Sequence, residues 1–282
     1  MPRFSAPLRF LQRIAADPAG LFGLVVAVLF TIVALLSNEI SPYDPAHIAV
    51  IHRLEGPSRA HLLGTDQLGR DTLSRILVGS RTALGVSVVS ILLAATIGAP
   101  LGLLAGYGPR WFGTVLLLLL DIVNSLPMIM FALALLVLVG PGFWTVVGVI
   151  AFFSVPGYAR LIRAQTLSLG QSGFILAARA MGAGLGRILF VHLLPNAMGA
   201  LLVVVTMDIP SVIGLEAGLS FLGIGIQPPT PSWGSILNDG FSFIRNTPDL
   251  VIFAGLPLVA TTIGFTFLGE RLRQILQPKA AP

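Results

Sequence analysis

Six long apolar runs recur along the 282-residue chain and constrain its fold more than any other feature. They are Leu21–Ser37, Ala83–Gly106, Phe112–Val139, Thr145–Tyr158, Ala197–Leu222 and Leu250–Leu268. Most approach the roughly 20 residues that a helix needs to cross the hydrocarbon core of a membrane, and the short fourth run needs tilt or flanking residues to do so. Only 10% of the residues are charged, against roughly 25% in soluble domains. The sequence therefore predicts an all-α, polytopic membrane protein with six transmembrane helices.

The distribution of charge predicts how the helices cross the membrane. The net charge is +5, and the arginines are scattered in loops between apolar runs, which indicates a membrane charge bias and no nucleic-acid partner. Between Ile122 and Met207 there is no acidic residue. Residues 38–81 instead mix both signs, as expected of an extracytoplasmic loop, with a short helix near Arg70–Val78. We expect a multi-pass inner-membrane protein with both termini cytoplasmic.

Two regions follow from this topology. Residues 1–81 are expected to hold the N-terminal tail, the first transmembrane helix and the extracytoplasmic loop. Residues 82–282 are expected to form the main transmembrane domain, including a cytoplasmic elbow over about 165–196. Gly98, Gly102 and Gly106 are spaced by four in the second run, a pattern that permits close helix packing, here expected with a partner subunit.

Several kinds of enzyme are excluded by what the sequence lacks. It has no cysteine, and Lys279 is its only lysine, so no phosphate-binding loop of the Walker type exists. The four histidines, His47, His52, His61 and His192, lack metal-ligand spacing. We therefore expect no catalytic residue, no metal and no cofactor bound by this chain.

Three acids fall in or beside apolar runs, where a charge is expensive and often functional. They are Asp121, Asp208 and Glu216. The last two are eight residues apart, about two helical turns, and approximately share a face. Either they form a proton relay, or they make polar contacts at a helix or subunit interface; the second interpretation is favoured.

The elbow, Gln165–Asn196, is a long interval without a sustained apolar run. Phe174, Ala177, Ala178 and Met181 recur at the spacing of one helix face. Gly182 and Gly184 can end that helix, and Pro195 is expected to end a second arm. Such a helix could fill a groove in a soluble partner or lie on lipid, although a lipid-bound helix would favour more Lys and Arg.

The elbow also resembles a known family motif. Ala177-Ala178-Arg179-Ala180-Met181-Gly182-Ala183, followed by Val191-His192-Leu193-Leu194-Pro195-Asn196, is similar to the EAA motif of ABC importer permeases, including its spacing. His61-Leu62-Leu63-Gly64-Thr65-Asp66-Gln67-Leu68-Gly69-Arg70-Asp71 resembles the signature loop of peptide, nickel and glutathione importer permeases. Gly218–Gly223 and Gln227–Gly234 resemble further motifs of that group, specifically its C-type dipeptide and oligopeptide permeases.

The resemblance implies a type I importer permease fold and a set of partners. These are a second homologous permease, two cytoplasmic ATPase subunits that bind ATP and Mg²⁺, and an extracytoplasmic solute-binding protein. It implies that the elbow couples to the ATPases. The residues assigned to that coupling are Phe174, Leu176, Ala177, Ala178, Met181, Gly182, Ala183, His192 and Pro195.

One position departs from the family pattern. Leu176 stands where the family usually has glutamate, so we hypothesise a more apolar contact with an ATPase adapted to it. A translocation path is expected near Asp121, Ser220, Trp233, Asn238 and Asp239. The substrate would be a peptide or similar small solute. The alternatives are a proton-coupled transporter or channel using Asp121, Asp208 and Glu216, and a purely structural membrane subunit.

Overall fold

The computed structural model describes residues 12–276, and within that range it is helical with no β-strand. Both chain termini, which the distribution of charge predicts to be cytoplasmic, lie outside the described residues. The helices are α1 (Pro18–Ile40), α2 (Thr72–Tyr107), α3 (Arg110–Ser125), α4 (Met128–Val139), α5 (Phe143–Leu169), α6 (Gly173–Ala180), α7 (Leu185–Phe221), α8 (Trp233–Ser242) and α9 (Asp249–Leu276). A short 3₁₀ turn, Val50–His52, lies in the loop between α1 and α2.

Five of these helices are long and apolar enough to cross a membrane, namely α1, α2, α5, α7 and α9. The sixth predicted span is a bent pair, in which α3 and α4 meet at 84°. The bend falls at Leu126 and Pro127, in the middle of the third apolar run. Proline disfavours helical geometry at the residue before it, which explains why α3 stops at Ser125.

The spans extend beyond the apolar runs that predicted them. α2 begins at Thr72, so the short helix expected near Arg70–Val78 is wrong as a separate element. Asp71 caps α2, because its carboxylate accepts a 2.8 Å hydrogen bond from the Ser74 backbone N–H. α5 has 27 residues, so the expected shortfall of the fourth span does not exist. Polar residues such as Arg160 and Arg163 continue that helix past the apolar run.

The close packing along α2 is internal to the chain. The glycine stripe of α2 lies against α5, where a Cβ on Gly102 would come within 2.4 Å of the Ala159 carbonyl oxygen. At Gly98 and Gly106 a Cβ would come within 2.7 Å of Tyr158 and Thr166 side-chain atoms. The expectation that this stripe packs on a partner subunit is therefore wrong. Small residues instead let the two central helices of this chain approach at backbone distance.

The remaining long helices surround this central pair. α1 packs on α2 and α9, and α7 packs on α2, α5 and α9. Many apolar side chains on the outer helices stay exposed, including Leu35 on α1 at 75% and Val137 on α4 at 80%. Such an apolar exterior suits contact with lipid or with another apolar chain.

Candidate functional site

The elbow is a short helix followed by a tight turn. α5 ends at Leu169, α6 covers Gly173–Ala180, and α7 begins at Leu185. Gly182 has a φ of +81°, a left-handed conformation that favours glycine, and Ala183 N–H donates to the Ala178 carbonyl at 3.0 Å. Gly184 is the N-cap of the next helix. The prediction that Gly182 and Gly184 break the helix is confirmed.

The second arm of the elbow runs directly into a transmembrane helix. α7 is continuous over 37 residues from Leu185, with a π-helical stretch at Ile188–Leu193. Pro195 lies in the first turn after that stretch, so the prediction that it ends the arm is wrong. A proline ring inside an α-helix clashes with the carbonyl of the preceding turn. The wider π turn shifts the hydrogen-bond register there, which lets the helix continue through Pro195. Force applied to the elbow can thus reach the membrane through one helix.

The burial of α6 changes the predicted apolar face. Ile175 and Ala178 are buried at 0% and 5% exposure, with Ile175 in the core of this chain's own bundle. The prediction that Ala178 shares a face with Phe174, Ala177 and Met181 is therefore wrong, because Ala178 lies on the inner face with Ile175. Phe174, Leu176 and Met181 remain exposed at 46%, 53% and 82%. We call these three residues and the exposed Ala177 the elbow surface.

The other predicted elbow residues lie behind or beside that surface. Ala183 is half-buried and packs against the main core. His192 is also half-buried, and its carbonyl accepts a 2.6 Å hydrogen bond from the Asn196 side chain. No acidic residue occurs anywhere in the elbow, whose exposed charges are Arg179 and Arg187. The elbow surface is therefore apolar with a basic edge.

The three membrane acids each have a separate partner. Asp121 pairs with Arg160 of α5 at 2.6 Å, Asp208 accepts from the Tyr158 hydroxyl at 2.7 Å, and Glu216 accepts from the Ser220 hydroxyl at 2.7 Å. Within residues 12–276, no hydrogen bond joins any two of these acids. The contacts of Asp121 and Asp208 each join two helices, as the favoured interpretation expects, whereas Glu216 and Ser220 both lie in α7. These hydrogen bonds form no continuous route for a proton through all three acids.

A buried ion cluster joins the long first loop to α8 at the other end of the bundle. Asp66 pairs with Arg70 at 2.6 Å and also with Arg75. Asp239 of α8 accepts from the same two arginines at 3.2 and 3.1 Å. We call these four residues the loop cluster. Opposite charges in equal number offset the large penalty of burying each one alone.

The loop cluster joins the first family-like motif, which holds Asp66 and Arg70, to α8, a helix that begins within the Gln227–Gly234 motif. Asp239 was expected to be a path residue, and its arginine partners were not predicted. The sequence did offer a signal. Residues 38–81 carry a balanced set of charges, and Asp239 is an isolated acid between the last two apolar runs. A second link is formed by Trp233, whose ring N–H donates to the Ile76 carbonyl at 3.0 Å.

The other predicted path residues differ in exposure. Ser220 and Trp233 are 2% and 0% exposed, so in this conformation their side chains offer no surface to a solute. Asn238 is accessible and donates to the Phe221 carbonyl at 2.7 Å. Asp121 is 67% exposed. Within the described part of the chain, no group of three or more His, Asp or Glu side chains is arranged to hold a metal ion.

Comparison with known proteins places this arrangement in a family. The family described as "binding-protein-dependent transport system inner membrane component" matches residues 98–282. A glutathione transport system permease protein of Pectobacterium atrosepticum is 42% identical over 96% of this chain and 89% of its own length. A dipeptide transport system permease protein of Alkalihalophilus pseudofirmus is 35% identical over 95% of this chain and 88% of its own length.

A solved structure shows the same fold. The inward-facing MetNI methionine ABC transporter aligns with a TM-score of 0.60 and 22% identity, covering 72% of this chain and 96% of that chain. This confirms the predicted type I importer permease fold. The chain belongs to the family of inner membrane components of binding-protein-dependent transport systems, and it is a multi-pass permease of the ABC importer type.

Proposed function

We propose that this chain is the permease subunit of an ATP-driven importer for peptides or glutathione-like solutes. It pairs with a second homologous permease, and the solute crosses between the two. Two cytoplasmic ATPase subunits bind ATP and Mg²⁺ and drive the cycle, and an extracytoplasmic binding protein delivers the solute. The substrate class rests on the relatives, which are named as glutathione and dipeptide transport permeases.

The elbow surface is the observation that carries this proposal. A surface that faces water rarely carries a cluster of large apolar side chains. Here Met181 is 82% exposed and Leu176 is 53% exposed. α6 has only eight residues and lacks a lipid-length apolar run. Its exposed side chains are therefore suited to a groove in a soluble partner. Leu176, at the family's usual glutamate position, makes this contact more apolar.

Coupling through the elbow follows from its connections. Ile175 and Ala178 anchor α6 to the bundle, while α7 continues from the turn across the membrane. A partner that moves the elbow surface therefore moves α6 and the start of α7 together. Such a connection lets ATP binding at one site bias the bundle between two arrangements, which is the energetic content of coupling.

The test replaces Met181, the most exposed residue of the elbow surface. M181D places a charge in the apolar contact, and burying an unpaired carboxylate is strongly unfavourable. We expect at least about a tenfold loss of uptake and of ATPase co-purification, since about 1.4 kcal/mol of lost contact has that effect. The matched control, M181L, keeps an apolar side chain of similar size and should retain both.

Membrane insertion separates a coupling defect from a folding defect. M181D should reach the membrane in wild-type amounts, because the side chain touches solvent and not the bundle. Unimpaired uptake by M181D would contradict docking at the elbow surface. A178D is unsuitable as a test of docking, because Ala178 is buried in this chain's own bundle.

A further inference from the structure

A polar cleft of about 740 Å³ opens beside the elbow. Its walls are the last turn of α2, the first turns of α3, the end of α5 and one residue of α6. The side chains that matter here are Tyr107, Arg110, Arg163, Thr166 and Arg179. The cleft therefore touches the ends of three membrane helices and the coupling helix at once.

The charge of the cleft is entirely positive. Arg110, Arg163 and Arg179 line it, and none of its lining residues is acidic. Within residues 12–276, these three arginines form no ion pair. By contrast, Arg160 of α5 lies nearby and pairs with the carboxylate of Asp121. Three unpaired guanidinium groups around one cavity favour an anionic occupant.

Buried donors at the same cleft lack partners. The Tyr107 hydroxyl, the Arg163 Nε and the Thr166 hydroxyl are buried and make no hydrogen bond to any described residue. Thr166 is 0% exposed. Leaving buried polar groups unsatisfied is unfavourable, so native proteins rarely retain several at one place without an occupant. All three can donate to an oxyanion.

The position of the cleft selects the source of that anion. It lies where α2 and α5 end and α3 begins, at the boundary between the apolar spans and the elbow. Trp111 follows Arg110 and is 68% exposed, as expected of an indole at the level of lipid headgroups. Basic pockets between helices at the cytoplasmic boundary suit the phosphate of an anionic lipid.

We infer that this cleft binds the headgroup phosphate of an anionic phospholipid from the cytoplasmic leaflet. The phosphate oxygens accept from Arg163, Arg179 and the Tyr107 hydroxyl, while the acyl chains lie along the outer surface of α3. Because Arg179 belongs to α6, the lipid ties the coupling helix to the bundle. The inference rests on the proposed orientation, in which the elbow is cytoplasmic.

Lipid binding to the full chain, purified with its partner permease and delipidated in mild detergent, tests the inference. Native mass spectrometry and thermal unfolding would compare dioctanoyl phosphatidylglycerol with dioctanoyl phosphatidylcholine. Phosphatidylglycerol should bind more tightly and raise the unfolding midpoint. R163Q and R179Q should each weaken the binding of phosphatidylglycerol about fivefold, because one basic residue near an anionic lipid contributes about that factor to the affinity.

Two further variants keep the test decisive. Y107F removes a hydroxyl that has no partner in the protein, so without lipid it should unfold at the wild-type midpoint or above, and with phosphatidylglycerol it should bind about threefold more weakly. R187Q removes a basic residue of the elbow that lies outside the cleft, and it should bind like the wild type.

Three outcomes would overturn the inference. They are equal binding of the two lipids, unchanged lipid binding by R163Q and Y107F, and equal stabilisation by inorganic phosphate at the same concentration, which would assign the cleft to a soluble anion. The readout is binding and requires no transport. A failed uptake assay with intact lipid selectivity would therefore count against the proposed function and not against this site.

Discussion

At the scale of single residues, Asp239 holds together two segments that are distant in the sequence. Its carboxylate accepts from Arg75, 164 residues away, and from Arg70. Both arginines are nearly sealed from solvent, at 2% and 4% exposure, whereas Asp239 is 19% exposed. Removing one acid from this cluster leaves two buried guanidinium groups with Asp66 alone.

D239N should therefore destabilise the protein. We expect a loss of about 3 kcal/mol, at the low end for breaking a buried pair because Asp239 keeps some contact with solvent. Thermal or denaturant unfolding of the detergent-solubilised chain measures the loss. The matched control is D44N in the same loop, where Asp44 is exposed and its carboxylate accepts a hydrogen bond from the Ala46 backbone N–H. A D239N protein as stable as D44N would contradict the role of the loop cluster.

Single residues also show where sequence reasoning stops. The spacing of Phe174, Ala177 and Met181 correctly predicted exposed apolar positions on one short helix. The same spacing placed Ala178 with them, although it packs inward with Ile175. Because an eight-residue helix in which nearly every residue is apolar has no polar side to orient it, only its tertiary contacts decide which face is buried.

At the scale of elements, helix ends were less predictable than helix positions. Apolar runs located every span, because burial in hydrocarbon requires an unbroken apolar helix. They did not predict that α2 starts at Thr72 or that α5 continues to Leu169. Those helical turns lie outside the apolar runs and are stabilised by capping and by packing on neighbouring helices. The π stretch before Pro195 was missed for the same reason, since it has no compositional signal.

The packing of α2 on α5 makes a sharp prediction with an internal control. G102A adds a Cβ that would lie 2.4 Å from the Ala159 carbonyl oxygen, so the helices must separate. We expect a loss of about 1–3 kcal/mol. G148A in α5 meets no atom within 4 Å, and replacing a helical glycine by alanine there should gain up to about 1 kcal/mol.

The two predictions are checked by measuring the unfolding midpoints of G102A and G148A, each expressed as the single chain. Opposite shifts are expected, because the same added methyl group is crowded in one helix and free in the other. Equal shifts of either sign would show that the central helices do not rely on backbone-distance packing at Gly102.

At the scale of the whole molecule, the loop cluster and the elbow occupy opposite ends of the helix pair α2 and α5. The loop cluster lies at the start of α2, and the elbow follows the end of α5, beside the end of α2. The MetNI-like fold was predictable from the EAA-like spacing and the six runs together. The contacts within each end were not, because they join residues that only the three-dimensional packing brings near each other.

The absence of cysteine from the sequence makes the orientation directly testable. Ile51 in the long loop is 87% exposed and Met181 in the elbow is 82% exposed. In spheroplasts, a membrane-impermeant maleimide should label I51C and spare M181C. In inverted vesicles prepared without the ATPase subunits, it should label M181C and spare I51C. The excess of arginine on the elbow side favours this result, since basic loops remain cytoplasmic. Equal labelling after denaturation controls for reactivity, and the reverse pattern would place the elbow outside, where no ATPase could reach it.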